Sequence, residues 1–262
     1  MNPYKKVPVL FIGHGSPMNA IESNPFTESL KSVGSAIYSS STEKPAAILA
    51  VSAHWLTRGT FAGTQEKPEI IYDFYGFPKE LYEVKYPAAG APFAAKEAME
   101  LSEEIQEDVT WGLDHGTWAV LKHMFPRADI PVFQLSIDYH RPMAYHFELA
   151  RKLKKLREKG VLVIGSGNIV HNLRLAFSSE NNKPYDWAVE FDEIVKDRIQ
   201  ERDFDSLVHY EKFGKAAQLS IPTVDHYVPL LYSLAMADDS EEIVFTYEEV
   251  FSSLSMRCLK IG

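Results

Sequence analysis

Short apolar runs constrain this chain more than any other feature. They cover Val7 to Ile12, Ala46 to Ala53, Ile130 to Ser136 and Val161 to Ile164, each bounded by turn residues and followed by polar or glycine-rich sequence. Runs of that length with no polar alternation predict strands buried on both faces, as in a parallel sheet covered by helices. The intervening segments show the helical period. Pro142 to Lys159 places Met143, Phe147, Leu149, Ala150, Leu153 and Leu156 on one side and stops at Gly160, and Pro92 to Glu104 reads the same way. Asp186 to Arg202 sets Trp187, Val189, Phe191, Ile194, Val195 and Ile199 among charges, which predicts an amphipathic helix packed on the sheet. Ile243 to Thr246 and Ser253 to Ile261 alternate and predict late antiparallel edge strands. The expected fold is α/β: a single domain over residues 1–262 with a mixed, mainly parallel central sheet flanked by helices.

Thr57 to Pro92, rich in Gly, Pro and aromatics, reads as a long irregular region and so as a lid or pocket wall. A final helix is expected from about His226 to Ala237. Pro229 fits only its first turn, where a missing N–H has no intrahelical partner, and this puts His226 at the helix start.

Charge and cysteine content narrow the partners. With 36 acidic and 27 basic residues the formal net charge is -9, which repels nucleic acid and anionic lipid. The basic stretch Arg151 to Lys159 falls on an expected helix and reads as a solvated face. Cys258 is the only cysteine, so a bound metal must be held by nitrogen and oxygen. No stretch approaches the roughly 18 apolar residues of a membrane span, and the start of the chain has too short an apolar run for a signal. A cytoplasmic protein is expected.

The histidines carry the chemistry through their positions. GHGSP at His14, SAHW at His54, LDHGTW at His115 and GSGNIVHN at His171 follow expected strands or lie in glycine-flanked loops, where open α/β sheets bind ligands. Any one of them can equally satisfy a backbone carbonyl. Taken together, His14 and His54 from separate crossovers and His226 from a helix start can converge on one Zn(II) or Fe(II). Asp225 can instead ligate, or orient an imidazole. His171 is either a fourth ligand or a base beside the metal, and His115, rather than its neighbour Asp114, is taken as the pocket residue. His123, His140, His146 and His209 are read as solvated or capping. Ser16 and Ser166 do not lie in G-x-S-x-G elbows, and GSGNIV lacks the full dinucleotide fingerprint. Trp55, Phe74, Tyr75, Trp118 and Tyr227 could wall a flat pocket or fill the core.

The strings GHGSPMN from Gly13, VSAHW from Val51, WGLDHGTW from Trp111, GSGNIVHNL from Gly165, DHYVPLLY from Asp225 and SLSMR from Ser253 resemble the class III extradiol ring-cleaving dioxygenases, in their DOPA 4,5-dioxygenase branch. They span nearly the whole chain. The resemblance implies one divalent metal ion per chain, Fe(II) for activity or Zn(II) as bound. His14, His54 and His226 match ligands, His171 a further ligand or the catalytic base, and His115 a pocket histidine. A small aromatic diol and O2 would be the reactants, opened to a muconic semialdehyde-type product. The sequence departs from the two-histidine, one-carboxylate triad of better-known class III enzymes by offering histidine at the third position, an all-nitrogen set that suits zinc as well as iron. A zinc-dependent hydrolase on a small carbonyl substrate and a non-enzymatic binding protein with the same fold are the other readings.

Overall fold

The apolar runs form the centre of an eight-stranded sheet in a computed structural model that describes residues 6–40, 44–176 and 183–262. The first five residues, part of the stretch read above for a signal, lie outside it. The strands are β1 (Val9–Gly13), β2 (Ala47–Thr57), β3 (Thr60–Gly63), β4 (Ile105–Asp108), β5 (Val132–Asp138), β6 (Val161–Gly167), β7 (Ile243–Tyr247) and β10 (Cys258–Ile261), with β8 (Val250–Phe251) and β9 (Leu254–Ser255) forming a separate small hairpin. Their order across the sheet is β4-β3-β5-β2-β6-β1-β10-β7. The central four, β5-β2-β6-β1, run parallel. β10 and β7 add antiparallel at one edge, as the late alternating segments predicted, and β3 meets β5 antiparallel toward the other.

Each central strand is buried on both sides because successive side chains point to opposite faces. Val9 and Phe11 enter one apolar cluster with the helices Pro92–Leu101, Met143–Leu153, Asp186–Gln200 and Val228–Ala235. Leu10 and Ile12 enter the other with the helices Pro25–Ser40 and His115–Met124. Burying each such side chain fully contributes about 1.5–3 kcal/mol, so the absence of polar alternation in the strands reflects two cores sharing one sheet. Among the described residues no helix is long and apolar enough to cross a membrane.

Several expectations need correction. The region Thr57 to Pro92 contains β3 and a four-residue helix, Lys79–Tyr82, so it is not wholly irregular. The helix expected to reach Lys159 is α only to Leu153; a 3-10 segment then runs to Gly160, which takes left-handed φ 80. That tightening turns Arg157 inward rather than onto a solvated face. It is fully buried, with Nη2 2.6 Å and Nη1 2.8 Å from the Glu241 carboxylate and Nη1 donating to the Met236 carbonyl.

Candidate metal centre

The parallel strands end on one side of the sheet, and the histidines gather there. His14 follows β1 directly, its backbone N–H donating to the Gly167 carbonyl at the end of β6. Gly15 then takes φ 62, a left-handed turn that glycine adopts without Cβ strain. His54 lies inside β2 rather than after it. There the pairing of β2 with β5 shifts register between Val51 and Leu56, and pairing with β6 stops at Ser52. Such a bulge bends the strand and re-aims its side chains.

His226 precedes the helix Val228–Ala235, in whose first turn Pro229 sits as expected. Its carbonyl accepts from Asn168 N at 2.8 Å, and a Cβ on Gly167 would stand 2.1 Å from that oxygen, so glycine there lets the turn dock on β6. His171, beyond β6, donates its N–H to the Ser220 carbonyl. His115 is the first residue of the helix His115–Met124, not a loop residue. Asp114 caps that helix and turns into the core, where it accepts from Ser52 Oγ at 2.7 Å and Gln134 Nε2 at 2.7 Å.

His14, His54 and His226 offer ligand nitrogens within 4.8 Å of one another. The acceptors facing each Nδ1 assign which nitrogen each ring offers. Ser166 Oγ donates its single proton to the Gly116 carbonyl at 2.6 Å, so it accepts from His14 Nδ1 at 3.0 Å. His54 Nδ1 faces Asp73 Oδ2 at 3.3 Å, and His226 Nδ1 donates to Asp225 Oδ2. With all three Nδ1 atoms protonated, the neutral rings carry their lone pairs on Nε2. His14 Nε2 and His54 Nε2 then lie 3.1 Å apart, lone pair toward lone pair. Two nitrogens each about 2.0–2.1 Å from one ion stand roughly 3 Å apart when their bonds make a right angle or a little more. The residues fit a divalent cation.

Burial, reinforced by the imidazoles of His226, His115 and His171, holds His14 well below the ordinary histidine value; burial followed by His115, His14, His226 and His171 does the same to His54. Both are neutral at pH 7, the state a metal requires. Burial, then His226, takes His171 down to about 2 against the opposing pull of Asp225. Burial works to raise the Asp225 carboxyl, but the hydrogen bond and charge of His226 outweigh it and hold it below the usual range.

His171 lies face to face on His226, ring centroids 3.4 Å apart and planes 7° from parallel. Imidazole lone pairs lie in the ring plane, so stacked rings aim them along parallel planes rather than at one point. His115 comes within 4.0 Å of His54 by ring centroids and donates Nδ1–H to Asp73 Oδ2 at 2.8 Å.

Sequence reasoning missed Asp73. The only pointer to it was its place in the segment taken as a pocket wall. Of the aromatics, Phe74 packs edge-on to His115 at 5.6 Å, Trp118 and Tyr227 are core side chains, and Tyr75 is 92% exposed. Ser166 orients His14, and Ser16 caps a 3-10 turn by accepting from Met18 N. His140 and His209 are exposed and His123 donates to the Asn19 carbonyl, but His146 is buried, its Nδ1 3.3 Å from the Tyr232 hydroxyl, and is neither solvated nor a cap.

A solved structure shares this mixed, largely parallel sheet, and a family model and named relatives give the class of protein. The family model described as the catalytic LigB subunit of aromatic ring-opening dioxygenase matches residues 7–255. The chain belongs to that family and is an oxidoreductase of the ring-cleaving, extradiol kind. It is 44% identical to a protein named 4,5-DOPA dioxygenase extradiol from Escherichia coli (strain K12), over 98% of this chain and 95% of that one. A protein of the same name from Beta vulgaris is 36% identical over 88% and 87% of the two chains. The crystal structure of an uncharacterized protein from Escherichia coli K12 superposes with a TM-score of 0.84 at 41% identity, covering 97% of this chain and 99% of that one.

Proposed function

We propose that this chain opens the ring of a catechol such as DOPA with O2, at one divalent metal held by His14, His54 and His226. The observation that carries the reading is the trio of imidazoles whose Nδ1 atoms each face an acceptor and whose Nε2 atoms face one another, 3.1 Å apart for His14 and His54. Relatives named for DOPA support the substrate class. Fe(II) would supply the redox change that O2 chemistry needs, whereas Zn(II) in the same nitrogens has none.

Extradiol cleavage breaks the carbon–carbon bond beside the diol and places both atoms of O2 in the product, one in an aldehyde and one in a carboxylate, so no external reductant enters. The chain's own work is to bind the diol in place and to move protons. His171 is neutral and stacked out of line with the Nε2 of His226, so we assign it as the base that takes a proton from a substrate hydroxyl and later returns it. His115 contacts the substrate beside it.

Protein loaded with Fe(II) without air, then given a 3,4-dihydroxyphenyl substrate and O2, should consume O2 and form a yellow semialdehyde. The Zn(II) form should do neither. No O2 uptake with several catechols would end this reading and favour a zinc hydrolase.

A further inference from the structure

The carboxylate of Asp73 meets two histidines at once. Its Oδ1 accepts the His115 backbone N–H at 2.9 Å, while its Oδ2 lies 2.8 Å from His115 Nδ1 and 3.3 Å from His54 Nδ1. A carboxylate offers acceptors alone, so His115 Nδ1, hydrogen-bonded to it, carries its proton and leaves the lone pair on Nε2, and the same oxygen 3.3 Å from His54 Nδ1 favours the same tautomer there. We propose that Asp73 is a positioning residue that sets the tautomer and aim of two rings together: His54 toward the metal, and His115 as a hydrogen-bond acceptor for a hydroxyl of the bound diol.

The local structure holds Asp73 firmly enough for this. Ile71 N donates to the Leu113 carbonyl and Leu113 N to that of Glu69, both at 2.8 Å, and Trp118 Nε1 donates to the Ile71 carbonyl at 3.0 Å. These bonds rivet the Asp73 segment to the start of the helix His115–Met124. The His115 N–H lies in the first turn of that helix and has no partner within it, so the carboxylate also satisfies an orphan donor at the end of the helix that favours negative charge. His54 and His115 come from a strand and a helix far apart in sequence, and this carboxylate links them.

Asp73→Asn is close in size and reverses the logic. If the amide oxygen keeps the backbone N–H of His115, the NH2 group faces both Nδ1 atoms and drives both rings to the Nε2–H form. Such orienting partners are typically worth 10–100-fold in metal affinity.

The part concerning His115 rests on the dioxygenase reading; the part concerning tautomers and metal does not, and the test separates them. In the zinc-loaded protein labelled with ¹⁵N-histidine, His54 and His115 should both show Nδ1–H. Asp73→Asn should move His115 to Nε2–H and weaken zinc binding roughly 10–100-fold, measured by chelator competition. With Fe(II) saturating, its kcat for a catechol should fall to that of His115→Ala, and the double variant should fall no further. An Nε2–H on His115 in the unaltered protein overturns the proposal without any variant having to fold. So does wild-type zinc affinity in Asp73→Asn, or a double variant far slower than either single one. The predicted tautomers and zinc loss in a protein that opens no catechol would sink the dioxygenase reading and leave Asp73 in its place.

Discussion

Two of the polar clusters among the described residues are built on opposite terms. Around Arg257, 2% exposed, the guanidinium Nε is 3.1 Å from both oxygens of Asp192, Nη2 donates to Glu193 at 2.7 Å, and Nη1 pairs with Glu248. Ser255 Oγ adds a donor to Asp192 at 2.6 Å. The buried charges of Arg257 and Asp192 meet each other there, and Glu193 and Glu248 close the cluster on its solvent side. At the histidine centre the outer nitrogens face Ser166, Asp73 and Asp225, but the inner ones face each other as lone pairs. A cluster that closes on itself stabilises one arrangement of the chain. One that leaves acceptors converging needs a cation to be complete.

The largest effects should come from the open cluster. His14→Ala, His54→Ala and His226→Ala should each lose metal and activity together, because an incomplete set of donors binds far more weakly. His171→Ala should keep most of its metal while turnover falls about 10²- to 10⁴-fold, the usual worth of a positioned proton acceptor. Metal content, measured with and without bound catechol, tells the two apart. Equal metal loss in all four variants would make His171 a ligand, and near-normal turnover in His171→Ala would remove it as the base.

How much of this contrast is legible in the sequence depends on the range of the interactions. The central strands are, since burial on both faces writes itself as an unbroken apolar run, and so is the α/β arrangement around them. Of the expected ligand histidines His14 stands out because a glycine-flanked strand end announces itself locally, whereas His54 lies within β2 and His226 before a helix. Asp73 does not. Its meaning depends on residues 69–71 pairing with Leu113, some forty positions on, and an Asp in YDFYGF looks like any loop carboxylate. The same holds for Arg157, which sits in a basic stretch but finds Glu241 only in three dimensions; His146, by contrast, is legible, since helical spacing places it on the face of Met143, Leu149, Ala150 and Leu153.

The closed cluster should answer mutation in a different currency. Arg257→Met removes the cation and leaves Asp192, 1% exposed, buried without its partner, a change that typically costs about 3–5 kcal/mol. Denaturant unfolding should show that loss, while kcat per folded molecule and zinc affinity stay close to those of the parent. A variant as stable as the parent would mean that water or the neighbouring Ser255 replaces the pair. A fall in zinc affinity with stability intact would mean that the two clusters are coupled.

The smallest effect concerns a histidine that the protein itself completes. Burial pushes His146 down to about 4, against the opposing influence of Asp138, while its unfolded value is near 6.5. A histidine depressed in this way is neutral when folded and takes up a proton on unfolding between those values. Its contribution to stability is therefore fully present above about pH 6.5 and is lost as pH falls toward 4, with a slope of about 1.4 kcal/mol per pH unit. His146→Leu should lack that slope, so the stability difference between parent and variant should narrow by about that amount for each unit between pH 6 and pH 4. His14 and His54 are depressed in the same direction, but their share should change when Zn(II) is added, because the metal competes with protons for the same nitrogens. His146, bonded to Tyr232 and outside the cluster, should give the same difference with and without Zn(II). Parallel curves for parent and variant would show that His146 is not held neutral, and a zinc-dependent difference would place it within reach of the metal centre.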